Sequence, residues 1–226
     1  MPNITEHICH LCGKEIDYSL EDGDLSKTRE HIPPQQFYPQ QMRGDIRGQL
    51  LVRPTHKGCN RSFKLDEEYF VHTYYPHVNS QSMSGRQLIE DIQRRAENAG
   101  NQSRTLLAMI EREFSSISPG GIHLPHGTII HNINAARVDR IIRKILQGLH
   151  YCEKGSFLPY ETPMWIHLYE KCSDIPEHFR TIFCETGPCL GVYPKMFAYR
   201  HKTVNDYAYW SMLLWDSLLF CIIFKT

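Results

Sequence analysis

His56-Lys57-Gly58-Cys59-Asn60 is the stretch on which the fold of the N-terminal third turns. It follows Gln49 to Arg53, a short apolar run that reads as a strand. It opens a helix expected to begin near Cys59 and to run through Phe63, Tyr69 and Phe70. Upstream, Glu30-His31 is followed by Ile32-Pro33-Pro34. The prolines cannot continue a helix, so the dipeptide belongs on a strand or at its exit. Two strands followed by a helix is the local plan. Tyr69, Phe70, Tyr74 and Tyr75 are expected on the buried face of that helix rather than as platforms for bases.

Beyond Tyr74 the pattern changes. Asn79 to Ser82 reads as a connecting turn, after which Leu88, Ile89, Ile92 and Ala96 repeat at helical spacing, as do Leu106, Leu107, Ile110 and Phe114. Gly100 separates these two helices and Ser118-Pro119-Gly120-Gly121 ends the second. A third is signalled by Val138, Ile141, Ile142, Ile145, Leu146 and Leu149, with Asn132 or Asn134 as its cap. The tail is rich in aromatic and β-branched residues over Met164 to Tyr169, Gly191 to Tyr199 and Tyr207 to Phe224, which favours strands. The expected class is α+β, with one module over residues 1–76 and a helical and antiparallel-β region over 82–226.

At 226 residues the chain can build a real core without disulfides or metals. The N-terminus lacks a basic start followed by an apolar stretch, so nothing in it argues for secretion. The longest apolar run, Met212 to Phe224, contains Asp216 and falls short of the roughly 20 residues a spanning helix needs, so it reads as core. Of the eight cysteines only Cys9 and Cys12 have tight metal-type spacing, which suits a reducing cytoplasm better than a disulfide scaffold. Net charge is zero, yet residues 1–26 carry −5 and residues 27–64 carry +6. A basic stretch of this kind suits backbone phosphates, with a solvated face balanced by the acidic lead-in as the alternative.

Two matched ligand pairs point to zinc. Cys9-x-x-Cys12 and His56-x-x-Cys59 have the same internal spacing, and a tetrahedral structural zinc is commonly gripped by two such pairs from two loops. His10 competes as a nitrogen donor, but it sits inside the first pair, where simultaneous ligation is awkward. Between the pairs lies a second chemistry. Hydrolysing a phosphodiester requires a nucleophilic water, a base to deprotonate it and a cation to offset the developing charge. His31 can be the base, and Glu30 and Asn60 supply oxygens of the kind that suit Mg²⁺ or Mn²⁺. Neighbouring strand residues point to opposite faces, so Glu30 and His31 reach one ion only if the strand twists or ends there.

In order, Cys9-x-x-Cys12, Lys27-Thr28-Arg29-Glu30-His31-Ile32-Pro33-Pro34, Leu50-Leu51-Val52 and His56-Lys57-Gly58-Cys59-Asn60 resemble the zinc-containing branch of the HNH endonucleases. The resemblance covers roughly residues 7–72. It implies a β-hairpin followed by a helix (the ββα-metal module), with His31 as general base and with Glu30 and Asn60 on the catalytic Mg²⁺ or Mn²⁺. Cys9, Cys12, His56 and Cys59 match the family's structural zinc clamp, with His56 in place of the more usual third Cys. It further implies DNA as substrate, RNA not being excluded, products with 5′-phosphate and 3′-hydroxyl ends, and a role such as defence against foreign DNA. Arg29, Lys57, Arg61 and Lys64 flank the motif as candidate phosphate contacts.

The chain departs from the family pattern in two places. The family's middle Asn has no clear counterpart, Gln49 being nearest and Asp45 next. Lys64 stands where many relatives place a second metal ligand, and Glu67, seven residues after Asn60, is expected about 10 Å further along the helix by its rise per residue and outside the metal site. The rival expectation is a zinc-stabilised module that binds nucleic acid or protein without cutting. In the second half, His123, His126 and His131 lie in a Gly/Pro loop without an evident fourth ligand, and Cys184 and Cys189 have no partner pair. The aromatic tail is expected to build a sheet core or a surface for a second copy or a protein partner.

Overall fold

The computed structural model of the chain describes residues 7–46, 50–169, 174–184, 189–193 and 196–226. The fold is α+β, helices packed with antiparallel sheet. β1 (Lys27–Ile32) pairs antiparallel with β2 (Leu51–His56), Glu30 standing opposite Arg53 and His31 opposite Val52. Their connection carries α1 (Gln40–Ile46), a helix not foreseen from sequence. Gln49, the nearest counterpart of the middle motif residue, lies outside the described residues, and Asp45 falls within α1.

The helix expected to run on from Cys59 is two helices. α2 (Lys57–Arg61) stops, and α3 (Lys64–Tyr74) starts afresh. At the break the Ser62 hydroxyl donates to the Cys59 carbonyl at 2.8 Å, and the Phe63 carbonyl accepts from the amides of both Asp66 and Glu67 to begin the new helix. Phe63 turns inward and is buried. Tyr69, Phe70 and Tyr74 line the buried face of α3, as their spacing predicts.

α4 (Met83–Glu97) is capped by the Ser82 hydroxyl, which accepts from the Gly85 amide, and α5 (Asn101–Glu113) begins just after Gly100. The short pair β3 (Phe114–Ser115) and β4 (Ile130–His131) leads to α6 (Ala135–Lys154), capped by Asn134 and closed at Gly155 with φ of 68°. α6 buries Ile141, Ile142, Ile145, Leu146 and Leu149 and crosses behind the hairpin. Its Gly148 lies so close to Ile32 of β1 that a Cβ there would stand 2.6 Å from Ile32 Cδ1.

The tail forms a five-stranded antiparallel sheet in the order β5 (Met164–Tyr169), β9 (Leu218–Lys225), β8 (Tyr207–Leu214), β7 (Phe197–Val204), β6 (Leu190–Tyr193). α7 (Glu177–Cys184) lies between β5 and β6 in sequence and was not foreseen. Tyr207 to Phe224 is a hairpin, turning at Trp215 and Asp216, both at positive φ. Trp215 holds that unusual backbone while buried, with its indole N–H donating to the Phe37 carbonyl at 2.9 Å and its ring against Phe37 and Phe70. The sheet and the N-terminal elements thus share one apolar core. Among the described residues no helix is long and apolar enough to cross a membrane, and the run around Met212 to Phe224 is largely core.

Candidate functional site

Residues 7–16 fold back on themselves as a tight knuckle. The Cys9 carbonyl accepts from the Gly13 amide at 2.8 Å, the Cys9 amide donates to Lys14, and the Ile16 amide donates to His7. Gly13 adopts φ of 71° with its bare α-carbon against the Phe157 ring, where a Cβ would lie 2.7 Å from that ring. The knuckle presents Cys9 and Cys12 to the end of β2 and the start of α2, which carry His56 and Cys59. The four ligand atoms lie within 4.8 Å of one another. Cys12 Sγ is 3.3 Å and Cys59 Sγ 3.9 Å from His56 Nδ1.

A tetrahedral zinc with Zn–S near 2.3 Å separates its donors by about 3.5–3.8 Å, so this quartet can hold a metal such as zinc. The surroundings agree. His56 Nε2 is 3.1 Å from the Glu15 carbonyl, so its N–H donates there and Nδ1 is left facing the thiols. Cys9 Sγ is 2.9 Å from the Thr55 hydroxyl. Burial pushes the Cys59 thiol up to about 12, helped by the charge of Cys9 and Cys12, and burial likewise raises Cys12. At Cys9 burial also works upward, but the Thr55 hydroxyl and backbone amides outweigh it and lower the thiol. His10 stands apart from the quartet. It is fully buried without a well-formed hydrogen bond, and burial and the nearby Lys144 charge push it down to about 3, with the Pro54 carbonyl offsetting them only in part.

Beside the quartet is a second cluster. Glu30 points inward from β1 and is buried, whereas His31, next on the strand, is half-buried with its Nε2 2.9 Å from the Gln35 amide nitrogen. The pleat thus sends the two side chains different ways, as neighbouring strand positions require. Asn60, on α2, faces the Glu30 side. Between Glu30 and Asn60 sits a residue that sequence reasoning missed. Lys144 of α6 places Nζ 2.8 Å from Glu30 Oε1 and 3.3 Å from Asn60 Oδ1, and it also pairs with Glu67 Oε1. Glu67 is held from its other oxygen by Gln36 Nε2 at 2.7 Å. Glu67 therefore belongs to this cluster, correcting the expectation drawn from an unbroken helix: the break at Ser62 and Phe63 redirects α3. Burial pushes the Glu30 carboxyl up to about 7, against the pull of the Lys144 ammonium and with the help of Glu67.

A signal for Lys144 does exist in the sequence. It lies three residues after Ile141 and four before Gly148, on the apolar face of an amphipathic helix, where a cation needs a buried partner. Glu30 and Asn60 do not fit a Mg²⁺ or Mn²⁺ ion as arranged, because the ammonium occupies the point on which their oxygens converge.

The basic residues are dispersed. Arg29 and Lys64 are exposed, while Lys57 pairs with Asp22 at 2.8 Å and Arg61 with Asp24 at 2.9 Å. The acidic lead-in thus neutralises part of the basic stretch. In the C-terminal half His131 is 3.3 Å from Glu113 and stacks on Phe114. Among the described residues the Cys/His quartet is the cluster that could hold a metal. Cys172 lies outside the described residues. The chain was compared with protein-family models, with curated proteins and with solved structures, and it matches none.

Proposed function

We propose that the chain is an HNH-type endonuclease that hydrolyses phosphodiester bonds in DNA, with His31 as general base. The observation that supports this reading best is convergence. Glu30 from the hairpin and Asn60 from the helix start come to one pocket, in a unit whose loops are gathered by a Cys/His quartet suited to structural zinc. His31 follows Glu30 on the same strand and keeps partial access to solvent.

In the reaction, His31 takes a proton from water, the oxygen forms a bond to phosphorus, and the bond to the 3′-oxygen breaks with its electron pair leaving on that oxygen, which takes a proton from solvent water while His31 gives its own back to solvent; 5′-phosphate and 3′-hydroxyl ends result. The Gln35 amide positions the ring. When its oxygen accepts from Nε2–H, the lone pair lies on Nδ1; when its NH₂ donates to Nε2, that nitrogen is engaged. Zinc in the quartet would hold the knuckle to the start of α2 and so fix Asn60, next in sequence to Cys59.

A plasmid-nicking assay tests the reading, run in chelator, Mg²⁺ and Mn²⁺ with an RNA substrate alongside. Wild type is expected to cleave in at least one condition, and His31→Ala to be slower by about 100-fold or more. Equal cleavage by the two proteins removes His31 from the role of base. A second reading, a zinc-stabilised module that binds nucleic acid or protein without cutting, is favoured by Lys144 standing among Glu30, Glu67 and Asn60 and by the pairing of Lys57 and Arg61 with acidic residues. No cleavage by wild type in any condition would select it.

A further inference from the structure

Lys144 comes from a helix more than eighty residues beyond Asn60, and its side chain is only 2% exposed. A buried ammonium persists only where acceptors replace its water, and here they do so fully. Its three N–H bonds face Glu30 Oε1, Asn60 Oδ1 and Glu67 Oε1, while the Phe63 ring covers it with its centroid 5.0 Å from Nζ.

We propose that the Lys144 ammonium is the resident cation of this pocket: it fills the point where Glu30 and Asn60 would grip a divalent ion, excludes that ion, and on removal leaves a binding site for a hard divalent cation. The donors support this. Two carboxylates and an amide oxygen, without a thiol or imidazole, form the set that suits Mg²⁺, Mn²⁺ or Ca²⁺ rather than zinc. Charge supports it too, since an ammonium and a divalent ion repel and cannot share one set of three oxygens. Distance separates the two occupants. The oxygens of Glu30 and Asn60 stand 2.8 and 3.3 Å from Nζ, a spacing drawn around nitrogen, whereas Mg²⁺ draws its donors in to about 2.0–2.1 Å.

Mn²⁺ titration of the zinc-loaded full chain, followed by electron paramagnetic resonance, tests the proposal, because Mn²⁺ favours oxygen donors and leaves a thiolate-rich quartet to zinc. Wild type is expected to show no Mn²⁺ binding that depends on Glu30. Lys144→Ala should gain a saturable Mn²⁺ class that is lost again when Glu30→Gln is added. The melting temperature of Lys144→Ala should rise with Mn²⁺ while that of wild type stays fixed.

A Mn²⁺ class in wild type that Glu30→Gln removes would overturn the proposal, as would a folded Lys144→Ala that binds none. If Lys144→Ala does not fold alone, refolding is attempted with Mn²⁺. Recovery of the fold supports the proposal, and failure overturns it, since the ion then does not replace the ammonium. These readouts use no nucleic acid. They hold whether or not the chain cuts DNA, and a wild type inactive under every metal would break the endonuclease reading alone.

Discussion

Two clusters of ligand-type side chains lie side by side in this molecule, and they solve opposite problems. The Cys9, Cys12, His56 and Cys59 quartet gathers soft donors whose thiols crowd one another, so burial and mutual repulsion raise Cys12 and Cys59 until a cation relieves them. The Glu30, Glu67 and Asn60 cluster gathers hard donors and already contains its cation, carried by α6. Donor type and spacing therefore define a cation site only together with whatever the rest of the fold places at its centre. A short motif can specify the first two and remain silent about the third.

The sharpest way to break this contrast is to empty the quartet. Purified protein should contain roughly one zinc per chain by elemental analysis, and Cys9→Ser with Cys12→Ser should abolish it. The loss of the cross-link between knuckle and α2 should destabilise the chain by about 3–5 kcal/mol, read as a fall of roughly 10 °C in melting temperature. Full zinc occupancy in the double variant would show that these cysteines are not its ligands.

The next test separates the clusters by pH. Glu30 is raised from the ordinary carboxylate range to about 7, so between those limits the folded state binds more protons than the unfolded chain. Stability from this group is therefore greatest at low pH and falls as pH rises through that window, by a total on the order of 3 kcal/mol. Glu30→Gln should flatten the pH–stability profile from about pH 5 to 7 as followed by urea unfolding. An unchanged slope would show that Glu30 titrates as an exposed carboxylate does.

The smallest effect belongs to the surface. Lys57→Ala and Arg61→Ala remove exposed pairs with Asp22 and Asp24 and should each leave the melting temperature almost unchanged. If the endonuclease reading is right, the same changes weaken DNA binding and flatten its salt dependence, measured by fluorescence anisotropy. A larger loss of stability would place these pairs with the structural elements rather than on a solvated face.

What was legible in the sequence follows from how local each determinant is. The quartet could be read because each ligand pair spans only four residues and its spacing encodes its geometry. The strands around Glu30 and Leu51 and the helices α4, α5 and α6 were legible for the same reason, with the cap of α6 narrowed to Asn132 or Asn134 and found at Asn134. Glu67 was misplaced because a rise-per-residue argument assumes an unbroken helix, and the turn at Ser62 and Phe63 depends on Phe63 finding a buried position under Arg140 and Lys144. Lys144 itself carries a local hint, a cation on an apolar face, but its partners come from β1, α2 and α3. No periodicity within α6 encodes them.

The close passage of Gly148 over Ile32 gives the pairing of Lys144 with Glu30 a fixed pitch. Ile32 lies two residues beyond Glu30 on β1, a step of about 6.6 Å, and Gly148 lies four beyond Lys144 on α6, a step of about 6 Å. The two contacts are successive rungs of a ladder whose uprights have nearly equal spacing. Sliding α6 by one turn would bring Gly148 or Arg140 opposite Glu30 instead, so the helix has discrete seats rather than a continuous range. Ile32 and Gly148 thus form a keyway that indexes Lys144.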